Sequence, residues 1–382
     1  MIESAPLRRL ATIALAAAAL AAAAFAHAEP QGFLETLHRH ATLVNTVPDN
    51  GDQNPYAIAV APVSAGTIQQ GDVLVDNFNN AANLQGTGST IVSYRPSTQQ
   101  LSLFASIPRD LKACPGGVGL STAMTMLKSG WVIVGSTPSN DGTTNTKGAG
   151  CLIVLDPHGK IASTWSTPNI NDPWGNMAVV DRGDSATLFV SMAGFGVGGA
   201  DGNPPVYKQA TVLRLDLAIP NGQPPVIKQE TVIASGLGAQ ADKSVFLVGP
   251  TGLALSGDQK KLYVSDAIGN RIVEIDDPLT RDTSAGVGRQ VTADGFLHRP
   301  LALATAPNGH LLATNALNGQ VVEIDPVAGK QLYARWINTD KAQTPPGSGD
   351  LFGIAMTPEG DGFYFVADDV NTLMLAKRRN RP

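Results

Sequence analysis

Residues 248–276 read VGPTGLALSGDQKKLYVSDAIGNRIVEID, and this stretch decides the fold. Three short apolar runs, at residues 252–255, 261–265 and 271–275, are separated by the turn formers Ser256-Gly257-Asp258 and Ala267-Ile268-Gly269-Asn270. Runs of that length broken by Gly, Asn and Asp make a β-meander, not a helix. Leu262, Val264, Ile272 and Ile275 are too nearly continuous for a sheet wetted on one face, so the meander needs neighbours on both sides.

The same phrase recurs about six times. Pro55-Tyr56-Ala57, Gly117-Val118-Gly119, Pro173-Trp174-Gly175, Pro250-Thr251-Gly252, Pro300-Leu301-Ala302 and Leu351-Phe352-Gly353 each open a unit, and further apolar runs follow each of them. Units of four short strands repeated in this way predict an all-β fold, a six-bladed β-propeller of four-stranded blades. The sixth unit ends near Leu375 without an outermost strand, whereas residues 41–47, ATLVNTV, supply an unused one. That N-terminal strand is expected to complete the last blade, leaving no open edge.

Composition agrees with a turn-rich globular chain: 382 residues, 40 of them glycine and 26 proline, with a formal net charge of -5. The repeats cross every plausible boundary, so residues 29–382 are read as a single propeller domain. An acidic balance offers no field for a phosphate backbone, which excludes nucleic acid as the expected partner. Arg8 and Arg9 precede an Ala- and Leu-rich run, and Ala26-His27-Ala28 ends it with small residues. Residues 1–28 therefore read as a signal peptide of either the general or the twin-arginine route, placing a monomer in the periplasm or outside the cell. The run is too short and mild for stable membrane insertion. Cys114 and Cys151 are the two cysteines, and the blade layout puts both on one face. A disulfide is expected there, with two free thiols as the alternative.

Connections at residues 77–89, 136–150 and 193–209 are long and rich in Gly, Asn, Asp, Thr and Pro. All three join a second strand to a third, so they emerge on the face from which the inner strands start. Blades one to three then wall one channel mouth, where binding residues are expected. Tyr56, Trp174, Leu301 and Phe352 stand at that mouth as candidate ligand-binding residues for a small molecule or a protein.

The type repeat resembles the NHL-repeat and SMP-30/gluconolactonase-like group of six-bladed propellers, which also contains streptogramin lyases. The resemblance implies a divalent metal, such as calcium, held by Asn, Asp and Glu at the residue between Pro and Gly. Here those places hold Tyr56, Val118, Trp174, Thr251, Leu301 and Phe352, none a carboxylate or carboxamide. A second set of acids, Asp76, Asp266 and Asp368, ends three second strands. It reads either as a cation site or as a repeated turn motif in which the side chain bonds local backbone. His298, just before an inner strand, is the candidate general base, or else a polar loop residue. The resulting expectation is an exported binding module, with a metal-dependent lactonase, hydrolase or lyase as the alternative.

Overall fold

The computed structural model describes residues 32–378. The expected signal peptide lies outside the described residues. After a 3-10 turn at Leu34–Thr36, strand β1 runs over Leu37–Asn45. Blade one is β2 (Gln53–Val60), β3 (Val73–Asn79), β4 (Thr90–Arg95) and β5 (Gln100–Ser106). Blade two is β6 (Leu120–Met126), β7 (Val132–Ser136), β8 (Cys151–Leu155) and β9 (Ile161–Trp165). Blade three is β10 (Pro173–Asp181), β11 (Ser185–Met192), β12 (Tyr207–Ala218), β13 (Val226–Asp242) and β14 (Phe246–Val248). Blade four is β15 (Pro250–Leu255), β16 (Lys261–Asp266), β17 (Arg271–Asp276) and β18 (Arg289–Ala293). Blade five is β19 (Pro300–Thr305), β20 (Leu311–Asn315), β21 (Gln320–Asp325) and β22 (Lys330–Trp336). Blade six is β23 (Leu351–Met356), β24 (Gly362–Ala367) and β25 (Thr372–Arg378), completed by β1 in the order β1-β25-β24-β23.

The sixfold repeat is thus a six-bladed propeller, and the N-terminal strand closes it. The closing strand pairs antiparallel from Leu37↔Arg378 to Asn45↔Thr372, starting four residues earlier than its apolar pattern suggests. The segment before it is anchored. Phe33, Leu34 and Leu37 are fully buried between blades five and six with Leu312, Val321 and Phe363. The amides of Phe33 and Leu34 each donate to the Glu323 carboxylate at 2.8 Å, and His310 Nδ1 and Asn308 Nδ2 approach the same group at 2.7 and 2.9 Å. Blade three departs from the four-stranded plan. Its 17-residue β13 runs past β12 and folds back as β14 in a fifth, short pairing from Gln240↔Val248 to Asp242↔Phe246.

Every inner strand carries a register shift just inside the loop face, at Pro55/Ile58, Leu120/Met124, Trp174/Ala178, Pro250/Leu253, Pro300/Leu303 and Leu351/Ile354. A bulge re-aims the side chains beside it and leaves an amide out of the ladder. Second-strand hydroxyls take up those amides. Ser265 accepts from Gly252 N at 2.6 Å and donates to Leu301 O of the next blade; Thr314 accepts from Ala302 N at 3.0 Å and donates to Phe352 O at 3.1 Å.

The glycine of the blade-three opening triplet has a steric cause. At Gly175, φ is +89° and an added Cβ would lie 1.7 Å from Thr251 O, so neither a side chain nor another conformation fits. With inner strands this close, Asn176 spans the channel from blade three. Its Nδ2 donates to Leu253 O at 2.9 Å and Leu303 O at 3.0 Å, while its Oδ1 accepts from Leu303 N at 3.0 Å. Cys114 and Cys151 are bonded, with Cα atoms 5.2 Å apart, tying the entry to blade two onto the start of β8.

Candidate functional site: the capped channel mouth

The bulges turn the second residue of three opening triplets toward one another at the loop face. Tyr56 is sandwiched between Phe352, at 3.8 Å between ring centroids, and Phe78, at 4.5 Å, both within 16° of parallel. Trp174 meets Tyr56 and Phe78 edge-on at 6.0 and 5.7 Å, and Phe246 meets Phe78 edge-on at 5.6 Å. The edge-on arrangements match the positive edge of one ring to the negative face of another. Tyr56, Trp174, Leu301 and Phe352 are 1%, 1%, 5% and 3% exposed, so the ring expected to line an open mouth is a packed plug with no free face for a ligand. Two of its five aromatics, Phe78 and Phe246, were not among the expected residues. Phe78 ends a second strand and reads there as core; Phe246 lies in a segment that breaks the repeat.

That segment is the β13–β14 hairpin, which acts as a strap over the plug. Gln85 of blade one donates to Ser244 O at 2.7 Å, and Arg299 of blade five pairs with Asp242 at 3.0 Å. Phe246, fully buried, holds φ at +67°, a strained conformation for an aromatic residue that packing must maintain. Between the strap and the long loops of blades one to three lies a cleft of about 340 Å³. Gln85, Thr143, Asn145, Asp201, Asp242 and Lys243 present polar groups to it, and Phe246 forms part of its floor. Its loop wall is internally braced. Asp141 accepts from Thr146 and Thr143, hydrogen bonds that hold its carboxyl down at about 2.

The three acids proposed as a set occupy different positions. In the ladders, Pro55, Pro250 and Pro300 face Asn77, Asp266 and Asn315, and Leu351 faces Ala367. Asp76 is therefore one residue before that position and Asp368 one residue after it, and side chains alternate between sheet faces. The alignment read from sequence missed this offset because blade one has Asp-Asn where blade four has Ser-Asp. Asp76 takes the structural place of Ser265 and Thr314: its Oδ1 accepts from Ala57 N at 2.8 Å, and its buried Oδ2 has no partner. Burial pushes its carboxyl up to about 8, against the opposing pull of the Ala57 and Tyr56 amides. Asp266 instead pairs with Arg271 at 2.8 Å and accepts from Gly269 N at 3.0 Å, the local turn bonding weighed above.

Asp368 is buried beside Asp350 and Asp369. Burial first, then the charges of Asp369 and Asp350, push its carboxyl well up. Burial first, then the Asp369 carboxyl beside it and the charge of Asp340, bring Asp350 to about 8. Asp368 also contributes to raising the Tyr56 hydroxyl, after burial, so this acid group adjoins the plug. His298 is exposed, its backbone amide donating to Asn315 Oδ1 at 3.0 Å. No described residue hydrogen-bonds its ring. Asp350 was missed in the sequence although it precedes an inner strand as Asp52 and Asp172 do.

The sequence matches no protein-family model and no curated protein. Its solved structural neighbours are SMP-30/gluconolactonase-like six-bladed propellers and related folds. A gluconolactonase from Xanthomonas campestris is 14% identical with a TM-score of 0.54, covering 89% of each chain. The PQQ-bound aldose sugar dehydrogenase of Streptomyces coelicolor is 14% identical with a TM-score of 0.53, over 89% of this chain and 98% of that one. A calcium-binding protein, regucalcin, from Agrobacterium tumefaciens is 10% identical with a TM-score of 0.51, over 90% and 96%. At these identities the likeness is one of fold. The metal positions implied by the resemblance do not fit a cation here: Tyr56 and Phe352 fill them with stacked rings, Trp174 with an edge-on ring, Val118 and Leu301 with buried alkyl groups, and Thr251 donates its hydroxyl to Gly249 O at 2.9 Å.

Proposed function

We propose that the protein is an exported, monomeric binding module that takes a small polar ligand into the cleft beneath the β13–β14 strap. The observation that carries this reading is the cleft's construction. Loops of three blades and the strap converge on about 340 Å³ of space, with amide, hydroxyl, carboxylate and ammonium groups around an aromatic floor. Sites of this size with a few convergent polar groups suit small molecules, and the lining favours one rich in hydroxyl groups, such as a sugar or sugar acid. Tyr56, Trp174, Leu301 and Phe352 act beneath the floor, Tyr56 and Trp174 packing on the Phe78 ring that Phe246 meets edge-on. The Cys114–Cys151 bond and the leader-like residues 1–28 support export. No described helix is long and apolar enough to cross a membrane.

A second reading is a metal-dependent hydrolase or lyase in which Asp76 serves as the acid. The observation favouring it is the buried Asp76 carboxyl, an acid held protonated near neutral pH beside the mouth. Purified mature protein, screened by thermal shift against monosaccharides, aldonic acids and their lactones, tests both. A ligand whose binding is weakened by Asn145→Ala and Asp242→Asn supports the module. Lactone turnover that chelator abolishes and Asp76→Asn removes would replace it with the enzyme.

A further inference from the structure

Blade six gathers three carboxylates at the loop face. Asp350 immediately precedes β23, and Asp368 and Asp369 open the turn after β24, so two connections of one blade bring them together. One oxygen from each lies within 4.8 Å of the other two. Oxygens bound to one calcium-sized ion at about 2.4 Å can be at most about 4.8 Å apart, so this spacing fits a common centre.

A second observation points the same way. Oδ1 of Asp368, a residue 9% exposed, is shielded from solvent and accepts no hydrogen bond. A buried carboxylate oxygen without a donor is costly unless a cation or proton meets it. Beside it, the Gln343 amide nitrogen donates to Asp369 and, at 3.4 Å, to Asp350, while its Oε1 is buried and unpartnered. Turning that carboxamide over would present a fourth oxygen to the same centre. Asn338 Nδ2 holds Asp350 Oδ2 at 2.8 Å, fixing one carboxylate from outside.

We propose that Asp350, Asp368 and Asp369, with Gln343 Oε1, form a binding site for one hard divalent cation of calcium size. The site lies outside the ring of opening-triplet residues: Asp350 stands two positions before Phe352, and the other two belong to the next turn. Irregular carboxylate and carboxamide donors from loops suit calcium, which tolerates variable geometry, better than magnesium, which demands a near-octahedral shell.

The test uses the chelator-stripped mature protein. Calorimetric titration with calcium chloride is expected to give one site per chain and a rise in melting temperature. Terbium is expected to bind competitively, its emission sensitised by the nearby Tyr56. Asp350→Asn and Asp368→Asn should weaken calcium binding roughly tenfold or more, whereas Asp258→Asn, in the β15–β16 turn, leaves it unchanged. In chelator, each cluster variant should melt at or above the parent temperature, because a carboxamide replaces a buried carboxyl whose charged form its surroundings disfavour; this separates lost binding from lost fold. If either buried variant fails to fold, the exposed Asp369→Asn carries the same expectation. Absence of heat and of any melting shift up to about 10 mM calcium, beyond the range of weak extracellular modules, would overturn the proposal. So would full-strength calcium binding in folded cluster variants.

Discussion

Replacing Glu323 by alanine should unlatch the propeller at its seam. The carboxylate is fully buried and accepts from two backbone amides, Phe33 N and Leu34 N, each at 2.8 Å. Removing it leaves both amides buried without an acceptor, at about 1–3 kcal/mol each, or about 2–6 kcal/mol in total. Domain stabilities are about 5–15 kcal/mol, so the seam can open before the rest unfolds. Hydrogen exchange should show residues 33–45 losing protection while blade three keeps it, and melting should fall by roughly 3–8 °C. Glu323→Gln, which keeps one acceptor oxygen, should fall between. Acid should act in the same direction. Burial alone would raise this carboxyl, but hydrogen bonds from Leu34, His310, Phe33 and Asn308 override it and hold the group below its ordinary 4.5. A depressed folded value means that the latch is at full strength above about 4.5 and is lost as pH falls through the folded value. Unchanged exchange at residues 33–45 in Glu323→Ala would refute the argument.

Other perturbations give equally direct readings. Asp76 binds its proton more tightly folded than unfolded, so its contribution to stability falls as pH rises from about 4 toward about 8; Asp76→Asn should reduce that slope in denaturant titrations across pH. Cys114→Ser should destabilise by about 3–4 kcal/mol, because the bond closes a segment with a sequence separation of 37, and a reductant should reproduce the loss in the parent. Trp174→Ala should cost about 3–5 kcal/mol in melting experiments, as truncation of a buried ring does, instead of sparing the fold. Gly175→Ala should be at least as damaging, since its Cβ would overlap Thr251 O; soluble, unshifted protein would contradict the close approach of the inner strands.

The blade count and the closing strand were legible because both rest on local pattern, period-two apolar runs between turn formers. Strand β1 is readable from Ala41 onward, yet its anchor was not: Phe33, Leu34 and Leu37 sit in a polar segment whose partners, such as Glu323, are about 290 residues away. The long loops of blades one to three were placed on the correct face. Whether the mouth stood open depended on how deeply the bulges turn Tyr56, Trp174 and Phe352 inward, a matter of backbone geometry that single residues do not announce. The strap was hidden because β13 is one uninterrupted strand that pairs with β12 along most of its length and with β14 at its end. The offset of Asp76 from Asp266 is likewise a matter of register: Pro55 faces Asn77 where Pro250 faces Asp266, so the acid of blade one stands one residue earlier.

The aromatic plug also carries an optical consequence. Its rings come from blade one, blade three, the strap and blade six, at positions 56, 78, 174, 246 and 352, and Tyr56 touches rings from both the first and last blades. Such an assembly cannot exist until the two ends of the chain have met. Trp174, edge-on to Tyr56 and Phe78, thereby sits in a fixed asymmetric environment only in the closed ring. Its near-ultraviolet signal is a clock for the final step of folding, whereas the far-ultraviolet signal of the individual blades can appear earlier.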